Sequence, residues 1–316
     1  LLKSPLFESK KEQEVLETVY NKGNSENMVH RGPSKNNLPL FALDFSRIEE
    51  TEKNANSSDL SILRERLDLD RSHYQQNIQV DSVILATGFQ PFNPDVIGTY
   101  HYSYLDNVVT ALDMEKIRKA KGDFLRPSDN SLPQKISFIQ CVGSRSESQG
   151  NLRCSRVCCA YALKMAEAIR SENPDAEISF FYMDIQDTGR NPALNPQNRS
   201  SKFNFIRMMP VDILPGEDSS VKIRYMSPQQ EGIDSEEFDL TILSIGIEPN
   251  TENTFLAKSF DLSLDRYGFL DEKAINSSVP SKSDGIFAAG TATAPRNIAE
   301  SMEHAGETVK KVINYL

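Results

Sequence analysis

Residues 135–185 read "KISFIQCVGSRSESQGNLRCSRVCCAYALKMAEAIRSENPDAEISFFYMDI", and this stretch decides the fold. An apolar strand at 135–140 is followed by a loop, by a helix in "SRVCCAYALKMAEAIRSENPD", and by a second strand, "AEISFFYMDI". The helix is predicted to end at Asn173-Pro174, because proline disfavours helical geometry in the residue before it. A strand, a helix and a strand within about 50 residues indicate a βαβ unit and a parallel α/β sheet.

The loop and helix start of this unit hold all the cysteines of the 316-residue chain, namely Cys141, Cys154, Cys158 and Cys159. Disulfides stabilise most when they close long loops, so cysteines this closely spaced make a poor disulfide framework and favour metal ligation. Cys154 and Cys158 are one helical turn apart, and Cys141 can fold back from the strand end. An iron–sulfur cluster, a zinc site and ordinary buried thiols all stay open at this point.

A dinucleotide-binding βαβ unit carries G-x-G-x-x-G in this loop, because glycines let the backbone approach the pyrophosphate. Here the loop holds cysteines instead, and no two of the 15 glycines in the chain stand in G-x-G spacing. We therefore predict that this βαβ unit does not bind NAD(P)H.

Three other stretches predict a strand that runs into a glycine turn. These are "VDSVILATGFQPFNP" at 80–94, "FDLTILSIGIEPN" at 238–250, and the start of "DGIFAAGTATAPRNIAESMEHAGETVKKVINYL" at 284–316. The last stretch continues into a helix for which Asn297 and Glu300 predict a capping box. Its predicted apolar face consists of Ile298, Met302, Ala305, Val309 and Val312.

Composition limits the possible class of protein. The net charge of −10 argues against nucleic acid as a partner, and no apolar stretch reaches the roughly 18 residues that a membrane span requires. We expect a soluble protein of a reducing compartment, the cytoplasm, with two domains. Residues 1–76 are polar and rich in turn formers, which predicts an irregular, weakly ordered segment.

Several of these motifs together resemble a known family. They are "ATGFQPF", "FIQCVGSR", "CSRVCCAYALKMA", "NPDAEISFFYMDI", "LSIGIEPN" and "GIFAAGTATAPRNIAES". The chain resembles the pyridine-nucleotide disulfide oxidoreductase fold from about residue 78 to 316. More narrowly, it resembles the family of heterodisulfide reductase A subunits, which includes the A subunits of the quinone-interacting membrane-bound oxidoreductase.

The resemblance implies an α/β, thioredoxin-reductase-like flavoprotein fold with two dinucleotide-binding domains. This fold is expected to be incomplete at the amino terminus, because the family's glycine-rich FAD-binding unit is missing from the sequence. A partial FAD-binding domain is expected at 77–130 and 268–316. An inserted nucleotide-binding-like domain with the cysteines is expected at 131–267.

The resemblance also assigns site residues. In the family the C-x12-C-x3-C-C pattern ligates a [4Fe–4S] cluster, which implies Cys141, Cys154, Cys158 and Cys159 as ligands. Lys164 matches a family lysine that approaches the flavin, where a cation would stabilise the reduced ring. The implied FAD contacts are Thr87, Gly88, Gly290, Thr291, Ile298 and Ala299.

The function that the resemblance implies is electron transfer between FAD and the cluster. The expected partners are other redox subunits, such as the B and C subunits of a heterodisulfide-reductase-like complex, with association to a membrane complex left open. One alternative is an NAD(P)H-dependent disulfide oxidoreductase with Cys158 and Cys159 as its redox pair. A second alternative is a non-catalytic assembly subunit that has lost FAD.

Overall fold

The computed structural model describes residues 29–32, 40–43, 78–186, 202–227, 231–275 and 284–316. The chain divides into two units, Leu1–Gln79 and Val80–Leu316. In the first unit, strands β1 (Val29–Gly32) and β2 (Leu40–Leu43) pair in antiparallel fashion. Apart from these two strands, the segment that the sequence predicts to be irregular lies outside the described residues.

The second unit alternates strands and helices, as the sequence predicts for an α/β protein. Its elements are, in chain order, β3 (Val83–Leu85), β4 (Phe89–Pro91), β5 (Val108–Thr110), α1 (Ala111–Lys121), β6 (Lys135–Val142), α2 (Cys158–Glu172), β7 (Glu177–Phe181), β8 (Asn204–Ile206), β9 (Pro210–Pro215), β10 (Val221–Met226), β11 (Ile233–Phe238), β12 (Leu240–Ile245), β13 (Ile247–Pro249), α3 (Asn253–Phe260), α4 (Glu272–Ile275), β14 (Ile286–Ala288) and α5 (Ile298–Tyr315). The α/β class is thereby confirmed. Among the described residues, no helix is both long and apolar enough to cross a membrane.

The central sheet is parallel and has the strand order β5-β12-β6-β7-β8. Strands β6, β7 and β12 are buried along nearly their whole length, as expected for a parallel sheet covered on both faces. The predicted βαβ unit is confirmed as β6, α2 and β7. The edge strand β5 comes from the 77–130 segment, and the domain boundaries at 130 and 267 stay predictions.

Helix α2 lies on this sheet because one of its faces is apolar throughout. That face consists of Ala162, Leu163, Met165, Ala166 and Ile169. Beneath it, the rings of Phe138 and Phe180 stack with centroids 5.0 Å apart, which adds to the energy of their burial. The helix ends at Glu172, and the N–H of Asn173 donates to the carbonyl of Ile169, so the predicted stop is confirmed.

Two smaller sheets pack beside the central one. Strands β9, β10 and β11 form an antiparallel sheet whose buried Ile213, Ile223 and Phe238 join Ile139 and Phe181 of the central sheet in one core cluster. Strands β4 and β13 pair in antiparallel fashion, and this pair connects the ends of β3 and β12. The carboxyl end of the central sheet is thereby held close to the pair formed by β3 and β14.

Strands β3 and β14 are parallel, with Leu85 opposite Ala288. Helix α5 follows, and its predicted capping box of Asn297 and Glu300 is confirmed by hydrogen bonds in both directions. The predicted apolar face of α5 does not pack inward: the side chain of Ile298 is 81% exposed and that of Met302 is 71% exposed.

The buried face of α5 is instead polar. His304 and Thr308 are buried, and the hydroxyl of Thr308 donates to the carbonyl of Ala288 at 3.2 Å. Periodicity identifies an apolar stripe but not the direction that it faces, because tertiary packing sets that direction.

Candidate functional site

Strand β6 delivers the first cysteine to the carboxyl edge of the central sheet. Cys141 is buried and has a φ of +59°, in the left-handed region that residues with a side chain rarely adopt. Gly143 and Arg145 follow with φ values of +77° and +55°. Such strained backbone persists only where the surrounding structure determines it, and it is concentrated at functional sites.

A small hairpin closes the loop after Cys141. Ser146 and Asn151 exchange backbone hydrogen bonds of 2.7 and 3.0 Å, and the side-chain amide of Asn151 donates to the carbonyl of Gly143. The N–H of Arg145 donates to the carbonyl of Arg153. The segment between Cys141 and Cys154 therefore folds into a hairpin that returns the chain toward Cys141.

The last two cysteines begin helix α2. Cys158 and Cys159 occupy its first turn, and Val157 at the N-cap supplies no side-chain hydrogen bond. The free N–H groups and positive dipole of a helix start stabilise sulfur that carries negative charge. Just before the helix, the N–H of Arg156 donates to the sulfur of Cys154 at 3.3 Å.

Three of the thiols form a hydrogen-bonded chain. Hydrogen bonds to Cys141 and Cys159, together with burial, raise the pKa of Cys158 well above its usual value. The hydrogen bond with Cys158 lowers the pKa of Cys141, and the corresponding bond lowers that of Cys159 to about 7. Burial raises the pKa of the Cys154 thiol. The structure thus brings Cys141, Cys158 and Cys159 together, with Cys154 beside them.

One ion pair lies beside these thiols. The guanidinium of Arg145 forms two hydrogen bonds with the carboxylate of Asp184, one of them 3.0 Å long. These hydrogen bonds lower the pKa of Asp184 and raise that of Arg145. The same guanidinium also reaches the sulfur of Cys141. Arg145 therefore places positive charge beside the cysteines, where it favours thiolates.

The donor set suits a cluster. Within the described ranges, no group of three or more His, Cys, Asp or Glu side chains is placed so that it could hold a metal ion. The four cysteines still meet at one loop and one helix start, and no described histidine takes part in their hydrogen bonds. A [4Fe–4S] cluster takes one thiolate for each of its irons, so the four cysteines match that group in donor type and number. Their role as ligands stays a prediction.

Tight packing holds the base of the cysteine loop. A Cβ added to Gly143 would stand 2.1 Å from the ring of Phe92, so only glycine fits beneath that buried ring. The hydroxyl of Ser155 accepts the N–H of Ile247 at 2.9 Å and lies against Gly246. Phe92, directly after β4, and the residues directly after β12 therefore fix the loop from two sides.

The second candidate region consists of two glycine turns. Thr87-Gly88 follows β3 and Gly290-Thr291 follows β14, and parallel pairing brings both turns to the same edge. Gly88 and Gly290 have φ values of +75° and +65°. A Cβ at either position would meet nothing within 4 Å. Glycine here leaves backbone that a ligand can approach, as at the nucleotide-binding edge of other α/β sheets.

Side chains from the "IEPNTEN" segment hold the first turn. The amide of Asn250 donates to the carbonyl of Thr87 at 2.9 Å, and the hydroxyl of Thr87 donates to the buried Asn253 at 3.3 Å. Asn253 also donates to the carbonyl of Gly268. Sequence reasoning missed both asparagines, although two asparagines that follow a strand and a proline are a usable signal for a turn.

The amino terminus of α5 lies next to the cysteine loop. Arg156 forms two hydrogen bonds with Glu300, the capping-box residue, and one of them is 2.9 Å long. Burial raises the pKa of Glu300, the guanidinium lowers it, and the net shift is downward. Ile298 and Ala299, in the first turn of α5, are exposed. This contact links the cysteine loop to the helix that follows the second glycine turn.

Lys164 lies on the exposed face of α2, on the second turn after the cysteines. Its position leaves the ammonium group accessible to solvent. The role of Lys164 stays a prediction.

Together, a parallel sheet with a four-cysteine loop at its carboxyl edge and a neighbouring pair of glycine turns define the candidate site of this α/β protein. Comparison with known proteins then shows what the chain resembles. The chain is 32% identical over 243 residues to the A subunit of the H(2):CoB-CoM heterodisulfide,ferredoxin reductase of Methanothermobacter thermautotrophicus, covering 75% of this chain and 37% of that protein. It is 34% identical over 244 residues to the iron-sulfur A subunit of the CoB–CoM heterodisulfide reductase of Methanocaldococcus jannaschii, with the same coverage.

The chain is thus similar to heterodisulfide reductase A subunits, and the resemblance is confirmed over three quarters of its length. The chain spans 37% of the length of these relatives. Among solved structures, it aligns with Lactococcus lactis thioredoxin reductase at 18% identity and a TM-score of 0.45, over 74% of this chain and 65% of that one. No family model matches the sequence.

Proposed function

We propose that this chain is a FAD- and [4Fe–4S]-binding electron-transfer subunit that works with other redox subunits in a heterodisulfide-reductase-like complex. One observation carries the proposal: the loop with all four cysteines contacts, through Arg156 and Glu300, the helix that follows the second glycine turn. Electron transfer needs two cofactors held close together, and this contact supports their being close. We place the chain in the reducing cytoplasm, where thiolate-bound clusters are maintained.

When bound, the flavin exchanges two electrons and the cluster passes them on singly. In the proposal, Cys141, Cys154, Cys158 and Cys159 hold the cluster. The N–H of Arg156 and the guanidinium of Arg145 stabilise charge on the cysteine sulfur atoms, since hydrogen bonds to sulfur set cluster potentials. Burial of Cys141, Cys158 and Cys159 keeps water away from this site.

The flavin is assigned to the edge formed by the two glycine turns. Thr87, Gly88, Gly290 and Thr291 would offer backbone and hydroxyl groups to it, while the N–H groups of Ile298 and Ala299 would face its charged edge. Lys164 would supply a cation near the ring. The open space at Gly88 and Gly290 supports this assignment.

The deciding experiment is to isolate the full chain anaerobically with its native partners and to measure flavin, iron and acid-labile sulfide per chain. We expect about one FAD and about four iron and four sulfide. Flavin without iron would overturn the proposal in favour of a disulfide oxidoreductase that uses Cys158 and Cys159. A preparation without flavin would instead identify an assembly subunit.

Nicotinamide cofactors test the same proposal from another direction. Because the loop after β6 holds cysteines where a dinucleotide-binding unit holds glycines, NADPH is not expected to bleach the flavin of the purified chain. The measurement is the flavin absorbance before and after anaerobic addition of NADPH, without a partner present. Stoichiometric bleaching would contradict the assignment of this loop to a cluster alone.

A further inference from the structure

His304 has a defined contact with the second glycine turn. Its side chain is buried on the inner face of α5, with 5% of its surface exposed. The N–H of Gly290 donates to Nδ1 of His304 at 3.0 Å. A backbone N–H can only donate, so Nδ1 must be the unprotonated nitrogen and the neutral ring carries its proton on Nε2.

The other side of the ring faces a charged cluster. Nε2 of His304 lies 3.1 Å from Oε1 of Glu272, which is also 3.3 Å from Nζ of Lys311. Arg296 lies 3.4 Å from the second oxygen of Glu272, and its other terminal nitrogen donates to the carbonyl of Gly290 at 2.7 Å. The N–H and the C=O of Gly290 are therefore held by two side chains that both lie beside the carboxylate of Glu272.

These hydrogen bonds orient a residue that packing does not constrain. Nothing lies within 4 Å of the position of a Cβ at Gly290, and its φ of +65° belongs to a flexible glycine. We infer that His304 is a positioning residue, which holds the Gly290-Thr291 turn in the orientation that receives the flavin cofactor. This inference rests on the proposed function, because the flavin is assigned to this turn there.

Two substitutions separate positioning from simple packing. In His304→Asn the amide oxygen takes the place of Nδ1 and can still accept from Gly290, whereas in His304→Gln the amide lies near Nε2 and leaves the Gly290 N–H unpaired. His101 provides a matched control, since its Nδ1 lies 2.8 Å from the carbonyl of Ile213, away from the glycine turns. His101→Asn and His101→Gln are made in parallel.

The measurements are the FAD dissociation constant of each variant of the full chain and the hydrogen exchange of its Gly290 amide without FAD. We expect His304→Asn to keep FAD affinity within about threefold, because its amide oxygen can still accept from the Gly290 N–H. His304→Gln should lose about tenfold and expose the Gly290 amide to exchange, because an unpaired donor is costly. Both His101 variants should bind FAD as the unchanged chain does.

The outcomes distinguish the inference from the function on which it rests. Equal FAD affinity in His304→Asn and His304→Gln, or a Gly290 amide that is equally protected in both, overturns the positioning role alone. An unchanged chain that takes up no FAD overturns the proposed function and, with it, the presentation of this turn to a flavin. Exchange of the Gly290 amide then tests independently whether His304 holds the turn.

Discussion

The cysteine loop and the glycine turns are built in opposite ways. The loop, residues 141–159, closes on itself through the hairpin at Ser146 and Asn151, and it is sealed by Phe92. The glycine turns come from β3 and β14, near opposite ends of the second unit, and the space around Gly88 and Gly290 is open. In the proposed function, the cluster ligands are thus built locally and packed tightly, whereas the surface assigned to the flavin is left without side chains.

The largest expected effect tests whether the loop is a cluster site. Cys158 shares hydrogen bonds with the sulfur atoms of Cys141 and Cys159, so Cys158→Ala would remove one proposed ligand and disturb two more. We expect the [4Fe–4S] content of the anaerobically isolated chain to fall from about one per chain to almost none. Iron and sulfide analysis, together with the visible absorption spectrum, measures this cluster content. Ser148→Ala, at the exposed hairpin, is the control, and a full cluster in Cys158→Ala would refute the ligand assignment.

The next effect tests the tight packing of the loop. In Gly143→Ala the new methyl group would overlap the ring of Phe92, and the left-handed backbone would be strained as well. We expect the free energy of unfolding to fall by about 3 kcal/mol, as urea denaturation can measure.

Gly122→Ala is the control for this experiment. Gly122 has a φ of +88° but open space around it. Gly122→Ala therefore introduces backbone strain without steric overlap, and we expect the free energy of unfolding to fall by about 1 kcal/mol. Equal losses in Gly143→Ala and Gly122→Ala would mean that the ring of Phe92 yields easily and that the loop is not held rigidly.

A smaller change in stability is expected at the glycine turns, with a larger one in binding. Gly290→Ala meets no neighbour, so only backbone strain opposes it, and the free energy of unfolding should fall by about 1 kcal/mol. The methyl group would occupy the open space assigned to the flavin, which should weaken FAD binding at least about tenfold. Gly122→Ala again serves as the control, with the same loss of stability and unchanged FAD affinity. Unchanged binding in Gly290→Ala would remove this turn from the flavin site.

The smallest effect is expected where the two regions meet. The side chain of Arg156 is 48% exposed and that of Glu300 is 27% exposed, so solvent screens their ion pair. A double-mutant cycle of Arg156→Ala and Glu300→Gln should give a coupling energy of about 0.5 kcal/mol. The pair Arg118 and Glu172, which is similarly exposed, provides a comparison away from the site.

The pH dependence of this coupling has a defined sign. The pKa of Glu300 is lowered in the folded chain. The ionised carboxylate therefore contributes its full stabilisation above the ordinary glutamate pKa of about 4.3, and this contribution decreases as the pH falls below that value. Denaturation of the unchanged chain and of Glu300→Gln at several pH values should show the difference between them shrinking toward acid. A difference that grows toward acid would contradict the ion pair.

The sequence predicted the elements whose causes are local. The βαβ unit follows from apolar strands and a proline stop after Asn173, and the capping box follows from Asn297 and Glu300 three residues apart. The grouping of the cysteines follows from their spacing. What the sequence did not reveal depends on residues that are distant along the chain: the outward direction of the apolar face of α5, the asparagines that hold Thr87, and the contact of His304 with Gly290.

By itself, the sequence determined the α/β class, the position of the four cysteines between β6 and α2, and the glycines at two strand ends, because hydrophobic period, proline and glycine act over a few residues. Only the tertiary structure decided that three of the thiols share hydrogen bonds, that the two glycine turns lie at one edge, and that Arg156 connects the loop to α5. Those relations arise when parallel strands and packed helices bring distant residues together, which no local pattern encodes.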